Sequence, residues 1–383
     1  MELLVTAHTD CELIFEPRLS TGSHSVLLVV TDSRGLQSLA VDGTIVVSAN
    51  SPQSWTLSAY GATPAPREYA RMAYDASRAQ VVLFGGLAYT TGSPGQQTLY
   101  GARDTWVWDG TGWVERTPNF VPPGMAGHSM VTNVGGNGVV MLPPGLQVCQ
   151  FANTPCTAPF WIWNGLDWVQ LTLPTDLAGF GGSVAAYDEG HDQIVLFGGS
   201  RTYSFSGPCT NVSGCPSNET WIWNGTTWTK SNPANRPPPS LGANGFAYDS
   251  ARGQLVMFGR YATGGPTTET WIWDGNNWTQ KFPLSSPSVR GGLGLLVSDS
   301  VKSQVVLFGG SMLDQFQQRL NDLWAWDGNN WHLVAASGAV GSPSGGPLNS
   351  MVYDAARGQV LLQNMICCFG PFTELWGGLW AWK

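Results

Sequence analysis

Residues 324–331 read WAWDGNNW, and the same arrangement stands at 106–113 (WVWDGTGW), 161–168 (WIWNGLDW), 221–228 (WIWNGTTW) and 271–278 (WIWDGNNW). Alternate side chains of an extended strand share a face, so Trp-x-Trp places two rings on one side. The Asp-Gly or Asn-Gly that follows is a strong hairpin signal, and the third tryptophan therefore sits on a strand that folds back on the first. A sixth Trp-x-Trp, Trp380 to Trp382, meets the end of the chain at Lys383 with no returning strand behind it.

Upstream of each tryptophan hairpin lies a second recurring segment, as in MAYDASRAQVVLFGG (72–86), FAYDSARGQLVMFGR (246–260) and MVYDAARGQVLLQNM (351–365). A short apolar run ends in Tyr-Asp, turn residues follow, and a longer apolar run comes next. The unit is thus four strands, here a to d, repeating at about 50 to 60 residues. Strand d carries Trp113, Trp168, Trp228, Trp278 and Trp331. The sixth unit lacks a strand d, and Trp55 in SPQSWTLSAYG has the sequence setting of Trp228. Of the 19 tryptophans only Trp376 then falls outside the scheme. The expectation is an all-β, six-bladed β-propeller over residues 51–383, closed by an N-terminal outer strand around 53–58 that completes the C-terminal blade. Such closure leaves only short, protected strand edges.

The Gly-Gly after strand b, the Tyr-Asp-x-x-Arg turn and the spaced tryptophans resemble kelch repeats of the secreted bacterial kind, similar to the central domain of galactose oxidase. The second copy departs from the pattern with MLPPG (141–145) and the sixth with LQNM (362–365). Residues 1–50 resemble the last hairpin of an immunoglobulin-like or PKD-type domain. A complete sandwich of that kind needs ~100 residues. The half-domain, together with an N-terminus that lacks the basic residues of a secretory signal, predicts that the chain belongs to a longer multidomain protein.

Composition narrows the function. Only 11% of residues are charged, the net charge is -8, and no Lys/Arg cluster offers itself to phosphates, which argues against nucleic acid. No apolar run approaches the ~18 residues of a membrane span. Cys149 and Cys156, Cys209 and Cys215, and the adjacent Cys367 and Cys368 stand in Gly/Pro-rich loops and suit local disulfides, leaving Cys11 over. Free thiols or metal ligands are the competing reading for these pairs. Disulfides and the resemblance together point to an extracellular or cell-surface location.

The a-b and c-d turns are short and uniform, whereas the b-c segments vary in length and hold the cysteine pairs. Variable loops on one face of a rigid scaffold are where binding is usually placed. The candidate contacts are Arg103, Arg201, Tyr203, Phe205, Arg260, Tyr261, Phe316 and Arg319 from b-c segments, with Arg67, Arg236 and Arg290 ahead of strand a. Arg and aromatic side chains are the common anchors of interfaces, and aromatic faces also stack on sugars. The expected role is a non-catalytic binding module for a protein or polysaccharide ligand. The alternatives are a structural spacer, or an enzyme resembling glycosidases, sialidases or galactose oxidase with its site at the channel mouth. No cofactor or metal is expected, because the five histidines do not assemble a copper ligand set with Cys and Tyr. His128, ahead of a strand a, reads as a packed residue, and Asp75, Asp188, Asp249, Asp299 and Asp354 read as turn formers.

Overall fold

The computed structural model describes residues 22–28, 41–47, 54–59, 64–65, 67–89, 99–143, 159–177, 180–201, 215–240, 243–262, 265–290, 295–311, 319–339, 342–343, 350–367 and 375–382. The fold is all-β and propeller-like, built from antiparallel sheets whose strands run a-b-c-d from one edge to the other. In chain order the a strands are Arg71–Asp75, Ser129–Thr132, Val184–Asp188, Ala243–Asp249, Leu295–Asp299 and Ser350–Asp354. Each pairs with its b strand, b with c, and c with d. The sheet that contains Ser350–Asp354 takes its d strand from the far end of the chain: Trp55–Ala59 pairs with Leu375–Trp382, and Trp55 lies opposite Trp382. A separate two-stranded hairpin pairs Gly22–Leu28 with Val41–Val47.

Strand b explains why the sheets must stack. In the first sheet, Gln80–Phe84 is buried throughout, with Val81 and Leu83 facing the sixth sheet and Val82 and Phe84 facing the second. A run buried on both faces cannot alternate with polar residues, so it reads as continuous Val, Leu and Phe. The core is accordingly divided among the seams between consecutive sheets, and one seam joins the sixth sheet to the first. The a strands neighbour one another in the same order, and Ser350–Asp354 lies beside Arg71–Asp75.

The strand d tryptophan locks each seam. Its ring packs 5.4–5.7 Å from the second tryptophan of its own Trp-x-Trp, and the Trp55–Trp382 pair, at 5.5 Å, has the same geometry. On the other side it meets the preceding sheet. Trp168 packs on Phe84, Trp278 on Phe197, Trp331 on Phe258 and Trp55 on Phe308. Trp168, Trp278 and Trp331 also donate their indole N–H to Thr105, Thr220 and Thr270 of the preceding strand c, each at 2.9 Å.

The a-b turns form a second set of ties on the opposite face from the b-c segments. Asp75, Asp188, Asp249, Asp299 and Asp354 are all buried and each pairs with the Arg, His or Lys side chain three residues on: Arg78, His191, Arg252, Lys302 or Arg357. These side chains reach the next sheet. Arg357 donates to the Asp109 carbonyl and Arg252 to that of Asp327, in the c-d turns of the following sheets. The glycine in each turn is required twice over, for its φ near +100° and because a methyl group at Gly110 or Gly328 would collide with the arginine. Lys302 instead lies 5.6 Å from the Trp382 ring, where the sixth sheet has no c-d turn.

Truncating Trp55 to alanine removes one seam's plug together with the ring that fastens the closing strand. We expect Trp55→Ala to destabilise the protein by roughly 3–5 kcal/mol, measured by chemical denaturation. An unchanged midpoint would show that the closing strand contributes nothing to stability.

Candidate functional site

The face opposite the a-b turns carries the b-c segments, and several of them rise above it as short extra strands. In the first sheet Arg67–Glu68, Leu87–Tyr89 and Leu99–Gly101 form a small sheet of their own. In the third, Phe180–Gly181, Ser200–Arg201 and Cys215–Pro216 do the same. In the fourth, Tyr261–Ala262 folds against Gly265–Pro266, and in the fifth Gly310–Ser311 continues the b strand against Arg319–Leu320. The sixth sheet extends likewise, with Asn364–Cys367 against Leu375–Gly378. Hairpins supported in this way pre-order a surface.

A repeated charge arrangement fixes their bases. Two residues before the first tryptophan of strand c stands a carboxylate, Asp104, Glu219, Glu269 or Asp322, which accepts the indole N–H of Trp106, Trp221, Trp271 or Trp324 at 2.6–2.9 Å. Arg67 grips Asp104 with both terminal nitrogens, at 2.5 and 2.7 Å, and also donates to the Gly85 carbonyl. Arg290 grips Asp322 in the same way, at 2.9 and 3.1 Å, and donates to Gly309. In the fourth sheet Arg260, from strand b, pairs with Glu269 at 2.9 and 3.0 Å. Lys230 takes the place of an arginine on Glu219, at 2.6 Å. Burial alone would push the Asp104 and Glu269 carboxyls up, but the hydrogen bonds from arginine and indole hold both below their usual range.

The arginines expected on the surface therefore divide. Arg67, Arg260 and Arg290 are only 5%, 5% and 0% exposed and are turned inward to brace the hairpins. Arg103 and Arg319 are exposed, and Arg103 donates to the carbonyls of Val121 and Pro122. Arg236 is half-buried and bonds to Asn232 and Pro233. Arg201 and Tyr261 are placed through their backbones, on strands of the raised hairpins. Tyr203, Phe205, Phe316, Cys149, Cys156, Cys209 and Cys368 lie outside the described residues, as do the disulfides expected of them; Cys215 and Cys367 are placed only as strand residues. Sequence reading passed over the four carboxylates, although their signal is visible as DTW, ETW, ETW and DLW at fixed spacing. Among the described residues no group of three or more His, Cys, Asp or Glu is placed to hold a metal ion, and no helix is long and apolar enough to cross a membrane.

His128 stands at the seam between the first two sheets. It is fully buried against Phe84, with ring centroids 5.9 Å apart, and neither ring nitrogen has a hydrogen-bond partner. Burial first, and then the charge of Arg71, push its pKa down to about 3. Arg71 itself is lowered to about 10, chiefly by burial.

No family model matches this chain, and no curated protein does. Solved structures do. One described as "Structure of YjhT" aligns with a TM-score of 0.53 at 14% identity, covering 82% of this chain and 95% of that one. At that identity the likeness concerns the fold.

Two outcomes follow from these charges. Asp322→Ala leaves the Arg290 guanidinium buried without its counter-charge, and we expect a loss of roughly 3–5 kcal/mol in chemical denaturation. His128 stays neutral in the folded protein while the unfolded chain takes up a proton near pH 6.5, so the unfolded state binds more protons between about pH 6.5 and 3. Stability contributed by this site is thus present above pH 6.5 and is lost as the pH falls, by at most about 1.4 kcal/mol per pH unit. Denaturation midpoints measured from pH 7 to 4 should fall less steeply for His128→Leu than for the parent; equal slopes would show that His128 protonates in the folded state.

Proposed function

We infer that this chain is a six-bladed, kelch-like propeller acting as a non-catalytic binding module, secreted or displayed at a cell surface. Its ligand is a protein or a polysaccharide, taken on the face that carries the b-c segments. The observation that carries this reading is the contrast between the two faces. The c-d turns 109–112, 164–167, 224–227, 274–277 and 327–330 are all of one length, and the a-b turns nearly so. Between the core strands the b-c segments 85–104, 143–159, 198–219, 259–269, 309–322 and 364–378 all differ in length. A face made of identical ties maintains the disc. A face whose hairpins each differ, on bases fixed by buried ion pairs, is organised to present side chains. Six sheets in the a-b-c-d order and the cyclic neighbourhood of their a strands support the blade count.

The full chain, prepared under oxidising conditions, should be screened on a glycan array and in pull-downs from cell surfaces, beside Tyr203→Ala/Phe205→Ala. The expected result is a ligand that the double variant loses. A ligand bound equally well by the variant and by proteins altered at Arg103 or Arg319 would overturn the assignment of this face.

A further inference from the structure

The d strands and the segments that leave them form the outer rim, and the repeat makes its positions comparable. Beyond strand d of the first, third and fourth sheets the chain runs Thr117-Pro118-Asn119, Asn232-Pro233-Ala234 and Phe282-Pro283-Leu284. Each segment is fastened in the same way. Its third residue donates its backbone N–H to the side chain that closes the next c-d turn: Asn119 to Asp167, Ala234 to Asn277 and Leu284 to Asn330, at 2.5–2.8 Å. In the fourth, Ser285 also accepts the Trp331 N–H at 3.2 Å. The backbones are thus held alike and the side chains differ. The first and third segments carry polar or small residues, whereas Phe282 and Leu284 are large, apolar and 83% and 98% exposed.

Strand d of the fifth sheet, Trp331–Ala335, continues the contrast. Two places beyond the tryptophan the first four sheets have Glu115, Gln170, Lys230 and Gln280. The fifth has Leu333, 52% exposed, followed by Val334, 37% exposed. Charged side chains on an outer strand ordinarily keep it from meeting other chains. Here an aliphatic one takes their place. Phe282, Leu284, Leu333 and Val334 all stand within three residues of the Ser285–Trp331 hydrogen bond, so they form one patch.

Charge sets this patch apart as well. Phe120 and Leu166 are also exposed on the rim, but the Asp167 carboxylate accompanies them, next to Leu166 in the chain and bonded to the Phe120 N–H. The fifth sheet has neutral Asn330 in that position. The charges that flank the patch, Lys281 and Asp327, are of opposite sign, and Asp327 is bonded to His332 at 2.6 Å. Two copies of a chain with net charge -8 repel one another, and this patch brings no unbalanced carboxylate into a contact between them.

We propose that the patch is a homodimer contact, at which two copies of this chain meet rim to rim across a two-fold axis. Each buries Phe282, Leu284, Leu333 and Val334 against the same four residues of the other. A two-fold contact uses one surface twice, which suits a patch that is apolar throughout and so complementary to itself. Four side chains a copy bury less than the ~800 Å² per partner of a standard interface, so the dimer exchanges with monomer. The contact involves none of the b-c segments, and the dimer therefore presents that face twice, able to hold a ligand with repeated epitopes at both. The proposal stands independently of what that face binds.

The test is sedimentation equilibrium of the full chain from micromolar to near-millimolar concentration, at low and high salt. The parent should pass from monomer to dimer as readily at high salt as at low, because an apolar contact is not screened. Leu333→Lys and the pair Phe282→Asn/Leu284→Ala should each weaken the dimer at least tenfold while melting as the parent does, since Lys230, Asn232 and Ala234 occupy those places in the third sheet. Phe120→Asn should dimerise like the parent. A parent that stays monomeric throughout, a dimer unchanged in both patch variants, or one lost in Phe120→Asn instead would overturn the proposal. So would association that salt weakens, or a dimer that non-reducing electrophoresis shows to be disulfide-linked.

Discussion

The structure depends on the burial of one indole ring per seam. A four-stranded sheet with apolar residues on both faces of strand b has no face to give to water, so every sheet needs a neighbour on each side. The strand d tryptophan meets that need at the outer edge, where the sheets diverge and a smaller side chain would leave a gap. It rests on the second tryptophan of its own sheet and on the b and c strands of the sheet before. Seams joined in this way succeed one another until the sixth meets the first, and the chain supplies the last plug from its N-terminal side as Trp55.

The departures from the repeat become intelligible as paired exchanges at these seats. In the second sheet strand b offers Leu142 where four others have Phe, and strand c offers Phe160 where three others have Thr, so the aromatic ring reaches the next tryptophan from a different strand: Phe160 stacks edge-on with Trp223 and Trp228. In the sixth sheet Asn364 occupies a glycine position of strand b and Gly378 the carboxylate position of strand c. Trp380 still finds an acceptor, the Asn364 side chain at 3.0 Å. In the fourth, Arg260 replaces the second glycine of strand b and pairs with Glu269, the task that Arg67 and Arg290 perform from ahead of strand a. The first swap keeps the aromatic contact but not the hydrogen bond, since the buried Trp228 indole N–H has no acceptor among the described residues, whereas the other two keep the hydrogen bond and move the residue that supplies it.

These exchanges also explain what was legible in the sequence. The tryptophan count disclosed the repeat, the four strands and the place of Trp55, because period-2 spacing and Asp-Gly turns are local signals. The aspartates were legible as turn residues, but not the ties that their partners make across to the next sheet, between residues some 75 to 250 apart in the chain. For the site, an arginine in a loop looks the same whether it faces solvent or a carboxylate. Arg67, Arg260 and Arg290 became braces only when Asp104, Glu269 and Asp322 were brought beneath them, whereas Arg103 kept its exposure.

The closing strand has a mechanical consequence. Trp55 opposes Trp382, so the chain enters the disc beside the place where it ends. Tension between whatever precedes Trp55 and the C-terminus would load the hydrogen bonds of Trp55–Ala59 one after another, in an unzipping geometry, rather than together in shear. Force applied between these two points therefore meets the closing strand in its least resistant direction.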